Sequence, residues 1–379
     1  MFYLIINISK KSISEKLNLY SIRKEITFYN KIDFTSFQYG IFSYVENPKI
    51  SIIITLYNQR GYILKIYSCI LNQSIKEIEI IFIDDSSTDN SFLDVEDLME
   101  KDRRIVYLKN ENNRGQFYSR NKGVFHSRGE YVMIIDPDDL LLNNILIKCY
   151  NMAIKYNLDI VQFYHLMGDF KKNKPYILNK KSKICFQPET NNLFFDCETR
   201  YLWDKLIRRS IFVKSIYFMK KKFRKERFII HNDETACFGI FKSAYSYGQL
   251  EEVGYFYNRE NANSTTKNNF LPENINGRFH TLFTIMDYYY EQSEDNIYEK
   301  TKGGYRFFEY RIVRRYESKI CFLTKGFKYI NSILKKYINS PFFNLAQRES
   351  LRSFKDKITI QKLYQKKLQL NQSSYKNNF

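Results

Sequence analysis

Apolar positions along this chain change their period in a regular way. Ile50-Ser51-Ile52-Ile53-Ile54-Thr55 is a near-continuous β-branched run, the pattern of a strand buried on both faces. From about Tyr62 to Asn72 the spacing becomes helical, with Ile63, Ile66, Tyr67, Ile70 and Leu71 on one face. A second strand is predicted over Ile78 to Ile83, a helix from about Asp89 to Glu100, and a third strand over Ile105 to Leu108. A helix from about Gln116 to Phe125, a strand over Tyr131 to Ile135, a helix from about Asn143 to Tyr156 and a strand around Asp159 to Tyr164 continue the series. Strand and helix alternating with short connections predict an α/β fold: a doubly wound, mostly parallel sheet flanked by helices. Beyond about residue 270 the periodicity is helical throughout, over Phe279 to Tyr290, Phe307 to Arg315, Phe327 to Tyr337 and Leu351 to Leu368. The pattern therefore divides the chain into an N-terminal extension (1–47), an α/β domain (48–265) and a C-terminal helical extension, basic and rich in aromatic residues (266–379).

In sheets of this kind ligands bind outside the carboxyl ends of the strands, and the acidic residues fall there. Asp84 and Asp85 close the second strand, and Asp136, Asp138 and Asp139 close the fourth. So many carboxylates together are costly to bury unless a cation or hydrogen-bond donors balance them. Magnesium or manganese, held by one or two carboxylates and the phosphates of a nucleotide, supplies that balance. Each cluster alone also reads as an Asp/Ser turn capping the next helix. The pair of clusters is what points to a cation.

Composition narrows the field less. The 379 residues carry a formal net charge of +19, which draws anions such as nucleic acid, acidic headgroups or phosphorylated small molecules, and equally describes solvated basic helices. No nucleic-acid reading motif is present. Aromatic residues interleave with Lys and Arg from Arg311 to Lys328, a pattern suited to peripheral contact with an anionic membrane. No stretch approaches the roughly 18 to 20 apolar residues of a membrane span, and Met1 to Ile8 lacks a basic leader and a cleavage site. The six cysteines are far apart without a C-x-x-C pair, so neither a zinc ribbon nor a redox motif is expected. A cytoplasmic setting, peripheral on the membrane face at most, follows as the expectation.

In order along the chain come Thr55-Leu56-Tyr57-Asn58, Ile83-Asp84-Asp85-Ser86-Ser87-Thr88-Asp89, Asn113-Arg114-Gly115, Ser119-Arg120-Asn121-Lys122-Gly123 and Ile135-Asp136-Pro137-Asp138-Asp139. This series, over roughly residues 49 to 265, resembles the family 2 glycosyltransferases of GT-A fold. The resemblance implies a nucleotide-diphospho-sugar donor, by default a UDP-sugar, and a glycan, lipid-linked or protein acceptor. It implies that Thr55, Tyr57 and Asn58 lie along the nucleotide, and that Asp85 accepts a hydrogen bond from the base. Arg120 and Asn121 would face the donor, as would Asp136. Asp138 would contact the ribose or sugar, or join the metal, and Asp139 would ligate the Mn2+ or Mg2+ that bridges the diphosphate. The family usually has proline at Leu56 or Thr55, and glycine where this chain has Ser86.

Inverting transfer needs a general base opposite the leaving diphosphate. His231-Asn232-Asp233-Glu234 resembles the family's Glu-Asp base motif with Asn232 in place of the first acid, which makes Asp233 the candidate base and Glu234 its neighbour in reserve. As first-turn acids of a helix the same residues would be ordinary. His231 is a further candidate on the acceptor side. Tyr201-Leu202-Trp203-Asp204-Lys205-Leu206 resembles the family's tryptophan–lysine segment, with Trp203 to stack on an acceptor sugar and Lys205 to meet phosphate; core packing and surface charge are the plain alternatives. The stretch from Tyr255 to Ser264, with Arg259, resembles the strand and loop that close the domain. Processive members carry Gln-x-x-Arg-Trp after the base; the single tryptophan lies before Asp233, which implies one sugar per event. A receiver-type acidic pocket would not need the second acid cluster. A nucleotidyltransferase of related fold would favour a glycine-rich loop where this chain has Tyr57-Asn58-Gln59-Arg60-Gly61. The departures at Leu56 and Asn232 leave a catalytically inactive binder of the same fold as the other alternative.

Overall fold

The computed structural model describes Lys24, residues 43–142, 144–168, 201–218 and 232–259, and the backbone of two short strands, β7 (Tyr176–Ile177) and β8 (Ile184–Phe186). The helices expected beyond residue 270, His231, and most of the 1–47 extension lie outside the described residues. The chain divides into two compact units, one of Met1–Phe228 with Ala236–Ser264, the other of Ile229–Thr235 with Thr265–Phe379.

In the first unit β1 (Ile50–Leu56), β2 (Ile78–Asp84), β3 (Ile105–Lys109) and β4 (Tyr131–Ile135) alternate with α1 (Arg60–Leu71), α2 (Ser91–Lys101) and α3 (Gln116–His126). Then follow β5 (Leu140–Leu141), α4 (Ile145–Tyr156), β6 (Ile160–Gly168), β9 (Lys205–Arg208), α5 (Arg209–Phe218), α6 (Asn232–Ser243) and β10 (Ser246–Asn258). Only the first turn of α6 belongs to the second unit.

The strand order is β3-β2-β1-β4-β9-β6-β10-β5. β1 pairs in parallel with β2 and β4, β2 with β3, and β6 with β10. β9 runs antiparallel between β4 and β6, so these two keep a common direction although they do not touch. The mostly parallel sheet of the sequence reading is thus a mixed sheet, with an antiparallel strand inserted at its centre. Short β5, β7 and β8 are antiparallel additions.

Every residue of β1 is buried, as its unbroken apolar run requires for a central strand covered on both faces. Alternate side chains divide between the faces. Ile50, Ile52 and Ile54 join one core with Ile63 and Ile66 of α1, Val95 of α2 and Cys149 of α4. Ile53 points the other way, toward α3. A Cβ on Gly123 would stand 2.6 Å from Ile53 Cγ2 and 2.8 Å from Ile83 Cδ1, so glycine is what lets α3 lie this close to the sheet. Cys69, Cys149 and Cys237 are buried and in no disulfide. No helix of the described residues is long and apolar enough to cross a membrane.

Candidate functional site

Register places the acids. Leu56 pairs with Asp84 and Ile54 with Ile135, so β2 and β4 end within two residues of one another on either side of β1. The two acidic corners therefore share one edge of the sheet, with Thr55 between them, nearly buried at 7% exposure.

At the β2 corner, Asp84 accepts hydrogen bonds from Ser87 N (2.8 Å) and from the Tyr107 hydroxyl (2.7 Å). Asp85 Oδ1 accepts from Asn110 Nδ2 and Arg114 N, each at 2.8 Å, and Oδ2 from Gly115 N at 2.7 Å. Asp85 is thus a latch for the loop that enters α3. Ser86 turns the chain with φ 68°, a left-handed conformation that glycine adopts most cheaply, which is the physical content of the family's glycine at this point. Asn58, also left-handed at φ 54°, accepts from Thr88 N at 2.8 Å and so ties the loop after β1 to the loop after β2. Tyr57 beside it is half exposed, at 50%.

α3 joins the corners. One turn apart on its first face, Gln116 Nε2 and Arg120 Nη2 both donate to Asp136 Oδ1, at 3.0 and 2.7 Å. Asp136 Oδ2 receives no donor among the described residues. Asn121, the next residue of α3, is half-buried. From α1, Lys65 lies within electrostatic range of Asp139 and Asp138; burial lowers its ammonium pKa, and these carboxylates oppose that shift. Burial, then the charge of Asp138, raises the Tyr62 phenol.

Asp136 and Asp138 are half-buried, whereas Asp139 is fully buried. Its oxygens are taken by the Tyr255 hydroxyl (2.8 Å to Oδ2) and Asn258 N (2.8 Å to Oδ1). Burial first, then the charges of Asp138 and Asp136, push its carboxyl well above the ordinary range. The expectation that Asp139 ligates the metal meets a carboxylate enclosed and committed to the fold. Asp136 and Asp138 are the acids of this turn that solvent reaches. Among the described residues no group of three or more His, Cys, Asp or Glu side chains is arranged to hold a metal by itself. An ion gripped by one or two carboxylates and a diphosphate needs no such cage.

Two further expectations are corrected. Trp203 is 1% exposed and cannot stack on a sugar: its indole lies parallel to Tyr201 and Tyr255, each with centroids 4.6 Å away. Lys205 is fully buried, and its ammonium donates to Asp204 and to Tyr201 O rather than to phosphate. Asp204 also accepts from Gln162 Nε2 at 2.9 Å and stands 3.4 Å from His165 Nδ1. Burial alone would raise its carboxyl, but Lys205 and His165 prevail and hold it down at about 2. Both segments are covered because β9 lies between β4 and β6. Removing one member of such a pair strands the other charge, so Lys205→Met is expected to cost about 3 to 5 kcal/mol. In a domain of this size that lowers Tm by roughly 6 to 20 °C. Thermal unfolding checks it, and an unchanged Tm with weakened nucleotide binding would restore the phosphate role.

Asp233 and Glu234 are half-buried in the first turn of α6, where helix geometry favours acids. Arg259 follows β10, exposed, its backbone N–H on Gly168 O at 2.9 Å. Tyr107, Asn110 and Gln116 were not singled out from sequence, and Tyr255 and Asn258 only as part of the stretch that closes the domain. The one available signal was Gln116 four residues before Arg120 on a helix face.

The family model for glycosyl transferase family 2 matches residues 51–248, just over half of the chain. The uncharacterized glycosyltransferase EpsJ of Bacillus subtilis is 29% identical over 64% of this chain and 71% of its own length. The cholesterol galactosyltransferase of Borreliella burgdorferi is 31% identical, over 45% of this chain and 51% of that one. A GalNAc(5)-diNAcBac-PP-undecaprenol beta-1,3-glucosyltransferase of Campylobacter jejuni is 37% identical over 26% of this chain and 32% of that protein. The crystal structure of Staphylococcus aureus TarS 1–349 superposes with TM-score 0.62 at 16% identity, covering 84% of this chain and 91% of that one. The same protein in complex with UDP-GlcNAc gives TM-score 0.62 at 15% identity, over 84% and 92%. A GT-A sheet with paired acidic corners at its carboxyl edge, matched by this family model, makes the chain a glycosyltransferase of family 2.

Proposed function

We propose that the enzyme moves one sugar per event from a UDP-sugar to an acceptor hydroxyl, with inversion at the anomeric carbon. The observation that carries the donor half is the pairing of acidic corners across β1, braced by α3. Tyr57 offers an exposed ring to the base, beside Thr55 and Asn58. Asp85 Oδ2 receives one protein donor and, as a carboxylate oxygen, can accept a second, which the imide N–H of uracil would supply. Asp138, with Asp136, is the pair that would hold Mn2+ or Mg2+, whose charge would stabilise the departing diphosphate. Asp139 braces the turn from behind, and Arg120 offsets one carboxylate of the pair.

Asp233 is assigned the base. Its carboxylate takes the acceptor proton as the acceptor oxygen attacks the anomeric carbon; the bond to UDP breaks and UDP leaves with the electron pair. Two relatives are named for a sterol or an undecaprenol-linked substrate. A lipid-linked acceptor is therefore favoured over a soluble glycan or protein, in keeping with the basic, aromatic C-terminal region.

A thermal-shift screen of nucleotides and nucleotide sugars, with and without manganese, tests the donor half. Ligand at 100 times Kd stabilises the folded state by about 2.7 kcal/mol, a rise in Tm of roughly 5 to 10 °C. UDP with manganese should give that rise and UDP with EDTA a smaller one. No shift with any nucleotide would remove the reading.

A further inference from the structure

The strand that closes the sheet reaches into the acidic turn through one side chain. Tyr255 of β10 pairs with Leu141 of β5, directly after that turn, and is fully buried. Its hydroxyl lies 3.1 Å from Asp136 N and 2.8 Å from Asp139 Oδ2. Hydrogen-bond polarity follows from chemistry. A backbone N–H only donates, so the tyrosine oxygen accepts from Asp136, and its single proton goes to the Asp139 carboxylate. Three residues on, Asn258 N–H holds the other oxygen of Asp139. The ring itself has little freedom, because it lies against Trp203 with planes 12° apart, and Trp203 lies in turn against Tyr201.

Asp138 sits between the two points that Tyr255 pins, the backbone of Asp136 and the side chain of Asp139. We infer that Tyr255 is a positioning residue of the transferase site, its hydroxyl setting the 136–139 turn so that Asp136 and Asp138 meet a cation-bound diphosphate. The inference rests on the donor reading proposed above. It assigns to β10, far from the nucleotide loops in sequence, control over the metal-dependent part of donor binding. The metal-independent part, borne by Thr55, Tyr57, Asn58 and Asp85, does not pass through Tyr255.

The test is calorimetric titration of the full chain with UDP, once in manganese and once in EDTA. Tyr255→Phe should weaken binding in manganese tenfold or more while the affinity in EDTA stays within twofold. Tyr67→Phe is the matched lesion: Tyr67 is equally buried and donates to Asp102 at 2.8 Å, outside the acidic corners. It should leave both affinities within twofold despite a comparable loss of Tm. Equal manganese affinity in Tyr255→Phe and wild type, or equal weakening by Tyr67→Phe, would overturn the inference. Should Tyr255→Phe not be recovered folded, Asp139→Asn is read in its place, since its one amide oxygen serves either Tyr255 or Asn258 and not both. Wild-type manganese affinity in Asp139→Asn would overturn it equally. A wild-type chain that binds UDP in neither condition overturns the donor reading, and this inference with it.

Discussion

With Asp233 replaced by asparagine, kcat for sugar transfer should fall by about 10²- to 10⁴-fold, while the Kd for UDP with manganese stays within about twofold. The amide keeps the size of the side chain and its place in the first turn of α6 but cannot take a proton from an acceptor hydroxyl. A donor-side residue would instead raise Kd. Steady-state kinetics beside calorimetry separate the two, and wild-type turnover in Asp233→Asn ends the assignment. The same variant of Glu234 is the internal comparison: as the reserve candidate it should leave kcat within about threefold, and a larger loss there than at Asp233 would move the base by one residue. Loss of the first-turn charge should cost either variant only about 0.3 to 1 kcal/mol of stability, too little to imitate a catalytic defect.

Asp138→Ala should abolish the manganese-dependent increment in UDP affinity and lower kcat/KM about 10³-fold, the loss expected when several kcal/mol of leaving-group stabilisation vanish. Its Tm should barely move, because Asp138 is only half-buried. Asp139→Ala should weaken the manganese increment indirectly, through the turn, and should in addition lower Tm. It strands the Tyr255 hydroxyl and Asn258 N–H in a dry interior, at about 1 to 3 kcal/mol for each orphaned group. Adjacent aspartates are thus expected to part in thermal stability, which Asp139→Ala loses and Asp138→Ala largely keeps. Identical profiles for the two variants would show that enclosure of Asp139 does not divide their roles.

The alternation of strands and helices was legible in sequence because its cause is local. β4 spans the very residues its apolar run marks, Tyr131–Ile135, and β1 overruns its run by one residue, Leu56. Both are buried on two faces, so the runs are nearly continuous, broken in β1 only by the buried hydroxyls of Ser51 and Thr55. The acids could be found for the same reason: they stand where apolar runs stop, and in this architecture strands stop at the ligand edge. Asp84, Asp85, Asp136, Asp138 and Asp139 therefore followed from pattern and resemblance before any coordinates.

Which of those acids faces water was not written locally. Asp138 and Asp139 are neighbours of one type, and the difference between them is made by Tyr255, 116 residues from Asp139. Trp203 and Lys205 read as ligand-binding residues because their segment resembles the family's tryptophan–lysine segment. Their burial depends on β9 entering antiparallel between β4 and β6, a long-range choice that a strand of four residues cannot announce. Lys205 is accommodated there because Asp204 beside it and Tyr201 O accept from its ammonium, with Gln162 and His165 completing the cluster around Asp204. Sequence by itself determined the fold class and the edge to which the donor site is assigned, since burial period and strand ends are properties of adjacent residues. Tertiary structure decided which carboxylates are enclosed and which solvent reaches, because that depends on donors arriving from distant strands.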